Sequence, residues 1–115
     1  MIKLLKNSYH NFTNEIINND NELFSISNAY YENGVVYLEG TIKAGWSGAK
    51  QKTMIPLKYC PRYITFVTLS FTSTNSDQNK ISSMYITDNG NVYAWIVDGL
   101  SYNERFSAIY PLKSV

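Results

Sequence analysis

The chain has 115 residues, 44% of them hydrophobic, and a formal net charge of +1. That length holds one domain around one core, and that apolar share excludes wholesale disorder. The ten Lys and Arg residues are scattered along the chain rather than gathered into the stripe that a phosphate backbone demands, which argues against nucleic acid as a partner. The apolar runs, only a few residues long, fall far short of a membrane span, which argues against membrane insertion.

Cys60 is the single cysteine, so there is no internal disulfide framework, and it reads as a partly buried free thiol. No secretory h-region follows Met1, and the expected place of synthesis and folding is a reducing cytoplasm. Two compositional features stand out: ten tyrosines, within an aromatic share of 15%, and thirteen asparagines. Tyr carries a large apolar face and a polar tip, which suits surfaces that are both sticky and wet. Asn favours turns, because its side chain mimics a backbone turn and tolerates left-handed geometry.

In residues 1–22, Ile2, Leu5, Tyr9, Phe12 and Ile16 recur at spacings of three and four, the period of one helix face. Asn7, Ser8, Asn11, Thr13 and Asn14 fill the other positions and are poor helix formers. The segment reads as a short helix or linker that gains order only by packing on something else, such as the end of a stalk, or as a frayed polar leader. Asn18-Asn19-Asp20-Asn21 ends it, and residues 23–115 form the predicted β domain.

From Leu23 the period changes to two. Residues 23–31 predict a first strand with Phe24, Ile26 and Tyr30 on one face. Asn33-Gly34 is a hairpin turn signal, and residues 35–42 predict the return strand, with Val36, Leu38 and Ile42 on one face and Glu39 and Thr41 on the other. A loop over 43–49 leads to a short strand over 50–55, and prolines 56 and 61 bound a segment unsuited to a ladder interior. A strand over 63–72, with Val67, Leu69 and Phe71 alternating, is followed by a polar loop over 73–79. Residues 80–87 and 92–97 predict a second hairpin around Asp88-Asn89-Gly90-Asn91, and residues 104–113 a last strand. Seven strands at this spacing predict an all-β antiparallel sandwich or jelly roll. Val92 to Val97 is apolar on both faces, so that strand is either enclosed centrally or meets another subunit through Tyr93, Trp95 and Val97.

Catalytic chemistry finds little purchase. His10 is the only histidine and sits in the polar leader, so neither a Ser-His-Asp nor a Cys-His arrangement has a base, and a zinc site lacks ligands. Asp77, Asp88 and Asp98 fall in predicted turns, and no acid pair is recognisable in the sequence. No oxygen-rich calcium loop and no phosphate-cradling glycine loop occurs, so no cofactor or metal is expected. What remains is a set of loop residues. Trp46 lies between two glycines, where it packs the loop, lines a subunit contact or covers the C–H face of a sugar. Tyr102, Asn103 and Arg105 follow Asp98, with the polar groups to bind sugar hydroxyls.

Ile55-Pro-Leu-Lys-Tyr-Cys-Pro-Arg-Tyr63 resembles the proline-tyrosine-proline segment in C-terminal head modules of bacteriophage tail-fibre and baseplate receptor-binding proteins. The following apolar strand, the run Met84-Tyr-Ile-Thr-Asp-Asn-Gly-Asn-Val-Tyr-Ala-Trp95 and the final strand continue the resemblance over residues 23–115. It implies a β-sandwich head, a homotrimer, a place at the tail tip or baseplate of a virion, and binding of host cell-wall polysaccharide or teichoic acid. It supplies no binding residues by motif, and the long stalk usual in that family is missing here. The expected function is therefore a non-enzymatic phage adhesion module. The alternative is a structural virion component of baseplate, neck or capsid surface that binds other virion proteins and no glycan.

Overall fold

The structure is a computed structural model that describes residues 8–71 and 76–113. Ile2 and Leu5, from the helical period of the first segment, lie outside the described residues, as does part of the polar loop over 73–79. The described residues form nine strands: β1 (Tyr9–Asn11), β2 (Phe24–Glu32), β3 (Val35–Ile42), β4 (Gly48–Thr53), β5 (Thr65–Phe66), β6 (Thr68–Ser70), β7 (Ile81–Ile86), β8 (Asn91–Ile96) and β9 (Glu104–Pro111). Two 3-10 turns, Thr13–Glu15 and Leu57–Tyr59, complete the inventory. The strands form two antiparallel sheets, β1-β2-β3-β9-β6 and β4-β8-β7-β5. This is the all-β sandwich that the two-residue period predicts.

The core is where the inward positions of both sheets meet. Phe24, Ile26, Val36, Leu38, Ile42 and Phe106 from the larger sheet, and Met84, Ile86, Val92, Ala94 and Ile96 from the smaller, join one buried cluster. Burying each of these side chains larger than Ala contributes about 1.5–3 kcal/mol, which is what drives the two apolar faces together. The hairpins form where the turn chemistry places them. Asn33 (φ 53°) and Gly34 (φ 80°) both occupy the left-handed region, as the tight turn between β2 and β3 requires.

Three departures from the sequence reading have physical causes. First, residues 8–22 hold no α-helix. β1 pairs with β2, and Phe12 is fully buried and stacked on Tyr59 with ring centroids 3.8 Å apart. Asparagines compete with any helix here: Asn19 bridges the Ile26 N–H and C=O, and the Asn21 Oδ1 accepts from the N–H groups of Leu23 and Phe24.

Second, the register shifts between Ile26 and Asn28. This bulge turns Ala29 and Tyr31 into the core and Tyr30 outward, away from the face it was expected to share with Phe24 and Ile26. Third, the strand predicted over 63–72 is two short ones. β5 joins the smaller sheet and β6 the larger, with the half-buried Val67 at the crossing.

The tyrosine surplus also finds its place. Tyr31, Tyr59 and Tyr110 are buried, and the Tyr110 hydroxyl donates to the Tyr59 carbonyl at 2.7 Å. Five others stand in ladders on the outer faces: Tyr9, Tyr30 and Tyr37 on the larger sheet, Tyr85 and Tyr93 on the smaller. Cross-strand aromatic pairs of this kind stabilise a sheet from its wet side.

Candidate functional site

Trp46 and the 98–103 loop meet at one end of the sandwich. The Asn103 Oδ1 accepts the Ala44 N–H at 2.8 Å, tying the two loops together. Trp46 is only partly exposed and sets its ring edge against Phe24, with centroids 5.8 Å apart at 86°. Its indole Nε1 is buried and has no hydrogen-bond partner among the described residues. The ring therefore plugs the loop onto the core. Tyr102 is 57% exposed, and it is the member of this group with a ring open to solvent.

The loop end is fixed from inside by charge. Asp77 and Glu104 are both fully buried and share a hydrogen bond, which requires one proton between the two carboxyl groups. The Asp77 carboxylate also accepts the N–H groups of Ser101 (2.8 Å) and Tyr102 (3.1 Å) and lies 3.4 Å from the Lys80 Nζ. Burial works against its charge, but the bonds from Glu104, Ser101, Tyr102 and Lys80 outweigh it and hold Asp77 below the usual carboxylate range. Lys80 in turn donates to the Gly99 carbonyl and the Ser101 hydroxyl, each at 3.2 Å. The sequence shows no acid pair, because its members are far apart along the chain. In space the pair is sealed from solvent and its carboxyls touch, whereas glycoside hydrolysis needs two carboxyls standing apart with substrate between them.

Arg105 goes elsewhere. It points outward from β9, opposite Thr41 of β3 and Ser70 of β6. With Ser27, Glu39 and Ser107 these residues line a shallow groove of about 390 Å³ across the larger sheet. A second hollow of about 190 Å³ shares Glu39 and Ser107 with it and continues to Tyr30, Tyr37 and Ile109. Tyr30 and Tyr37 are stacked at 4.9 Å, so the groove runs from a guanidinium, past hydroxyls and a carboxylate, to a tyrosine ridge. Among the described residues neither Arg105 nor Glu39 makes an ion pair or side-chain hydrogen bond. The Ser27 hydroxyl donates to the Glu39 carbonyl. The alternation marks Glu39, Thr41, Arg105 and Ser107 as outward-facing. What the sequence does not carry is the β3–β9 register that sets them side by side.

The opposite face of the molecule has another character. Outward from the smaller sheet stand Phe66, Ser83, Tyr85, Tyr93 and Trp95, with Ala49 and Gln51 beside them. None is charged. Phe66 is 69% exposed, Trp95 48% and Val97 63%. β8 is thus a central strand with one face buried and one open, not enclosed on both sides.

His10 lies on β1 opposite Tyr31, not in a loose leader, and its Nε2 meets the Glu15 carboxylate at 2.7 Å. The bond from His10, reinforced by the Tyr59 hydroxyl and by Lys58, holds Glu15 below its ordinary range. The buried Cys60 thiol is pushed up by desolvation. Among the described residues no group of three or more His, Cys, Asp or Glu is placed to hold a metal ion, and no helix is long and apolar enough to cross a membrane. No protein-family model, curated protein or solved structure matches the chain.

Proposed function

We propose that the protein is a non-catalytic recognition module that binds a cell-surface saccharide on the outer face of its larger sheet. In this reading it is the head of a virion adhesin assembled from copies of itself, a trimer in the arrangement the tail-fibre resemblance implies. The observation that carries the saccharide reading is the groove through Glu39 and Arg105. A guanidinium and a carboxylate stand free of protein partners among the described residues, between hydroxyl-bearing strands and a tyrosine ridge. A polyol offers donors to the carboxylate and acceptors to the guanidinium at once. The ligand is expected from host cell-wall polysaccharide or teichoic acid, and many weak copies on one particle raise the effective affinity. The virion setting rests on the resemblance over residues 23–115 alone. The test is binding to isolated cell-wall glycan by the wild type, Arg105→Ala and Trp46→Ala. Loss in the Arg105 variant with retention in the Trp46 variant supports the groove. Equal binding by all three removes it, and no binding by the wild type removes the saccharide reading.

A second reading is favoured by the uncharged outer face with its exposed Phe66, Trp95 and Val97. Apolar surface of this kind is characteristic of contacts between proteins. If that face meets other virion proteins rather than further copies of the chain, the protein is an assembly component. Co-purification of a defined virion protein, abolished by Trp95→Lys, together with absence of glycan affinity, would establish that reading.

A further inference from the structure

We infer that Glu39 is a charge filter in the groove, so that the surface takes an uncharged saccharide and turns away acidic ones such as uronic-acid or phosphate-bearing polymers. The inference rests on the saccharide reading above and narrows its two ligand classes to one, a neutral cell-wall polysaccharide, setting aside teichoic acid because its backbone carries phosphate.

The register makes the case. Glu39 lies opposite Ser107, and Arg105 lies opposite Thr41, so Glu39 and Arg105 are diagonal neighbours on one face of β3 and β9. Diagonal positions stand about 7–8 Å apart. At that spacing one small ligand can touch both side chains. Arg105 alone, among serine and threonine hydroxyls, would make a site for an anion, since guanidinium binds carboxylate and phosphate in a bidentate fork. Glu39 changes that. An anionic ligand held by Arg105 would bring a second negative charge beside the first, whereas a neutral ring loses nothing. Its hydroxyls donate to Glu39 and accept from Arg105, and both contacts are charge-assisted. The walls agree, since Ser27, Thr41, Ser70 and Ser107 present hydroxyls that donate or accept as the ligand requires. The far end agrees as well: the Tyr30–Tyr37 stack offers ring edges and phenol hydroxyls and no further charge.

The experiment is an array of oligosaccharides in matched pairs, each neutral member beside the same backbone bearing a uronic acid or a phosphate. It is probed with the wild type, Glu39→Gln and Arg105→Ala, all three checked for the native circular dichroism spectrum. The wild type is expected to favour the neutral members. Glu39→Gln is expected to raise the ratio of acidic to neutral binding about tenfold, the scale of one charge repulsion at this separation, while neutral binding itself weakens because the ligand hydroxyls lose a charge-assisted acceptor. Arg105→Ala is expected to weaken both. A wild type that prefers acidic members, or a neutral-to-acidic ratio that Glu39→Gln leaves unchanged while Arg105→Ala abolishes binding, overturns the filter and leaves the saccharide site standing. A wild type that binds no member of any pair overturns the filter and the saccharide reading together.

Discussion

Tyr30 stacks on Tyr37 across the β2–β3 hairpin, with ring centroids 4.9 Å apart, and it reaches that position because the register shifts between Ile26 and Asn28 of β2. Without the bulge between Ile26 and Asn28, strict alternation would carry Tyr30 inward with Ile26. One irregularity thus sets both the aromatic ridge beside the groove and the burial of Ala29 and Tyr31. Gly40 stands opposite the bulge, and a Cβ there would overlap the Ser25 carbonyl oxygen and lie 2.9 Å from the Phe106 ring. Gly40→Ala is therefore expected to cost about 2 kcal/mol or more, read as a lower urea midpoint. A variant as stable as the wild type would contradict this packing.

Phe12 belongs to the core although it precedes the first long strand. Its burial and its stack on Tyr59 predict that Phe12→Ala loses about 3–4 kcal/mol in chemical denaturation. A loss under about 1 kcal/mol, the range of surface substitutions, would mean that the first described residues do not pack as placed.

Asp77 gives the fold a pH signature. Its carboxyl is held down to about 2 in the folded chain, against about 3.9 for an unperturbed Asp. The stabilisation it supplies is present in full above the unfolded value and is lost as pH falls from about 4 towards 2. Urea midpoints measured between pH 7 and pH 2.5 should fall more steeply for the wild type than for Asp77→Asn. At neutral pH the variant should be weaker by on the order of 2 kcal/mol, because the N–H groups of Ser101 and Tyr102 lose a charged acceptor. Parallel curves would show that Asp77 carries no such linkage.

Cys60 is fully buried, and desolvation raises its thiol above the ordinary range, so thiolate is scarce in the native state. An aromatic disulfide reagent at pH 8 should react slowly with folded protein and fast in denaturant. Equal rates would place the sulfur at the surface.

Most of the fold was legible in the sequence, and for a local reason. Alternation in 35–42 and 104–113 and the turn residues Asn33-Gly34 and Asn89-Gly90 are properties of neighbouring positions. The misreadings fall where tertiary structure decides. Tyr9, Phe12 and Ile16 share a helical spacing by coincidence, and asparagine side chains bonding the backbone of β2 override it. The sheet change at Val67 answers to the shape of the core. Of the candidate site, Arg105 was legible as a group able to bind sugar hydroxyls, whereas its neighbours in the groove come from β2, β3 and β6, and nothing in the linear order pairs them. Of the roles open to Trp46 between its glycines, loop packing is the one its edge-on contact with Phe24 favours, and only the fold could show that contact.

Exposed apolar surface on β5 and β8 predicts self-association through the uncharged face. Analytical ultracentrifugation should show an oligomer that Trp95→Lys converts to monomer with an unchanged fold. A wild type that is monomeric at high concentration would leave that face to other proteins.

Saccharide binding is proposed for the outer face of β3 and β9. It is tested most directly by titrating isotope-labelled protein with a neutral cell-wall oligosaccharide and following backbone amide signals. Saturable shifts are expected at Glu39, Thr41, Arg105 and Ser107, with the 43–47 and 98–103 loops unmoved. Shifts confined to those loops, or no shifts at any concentration, would contradict it.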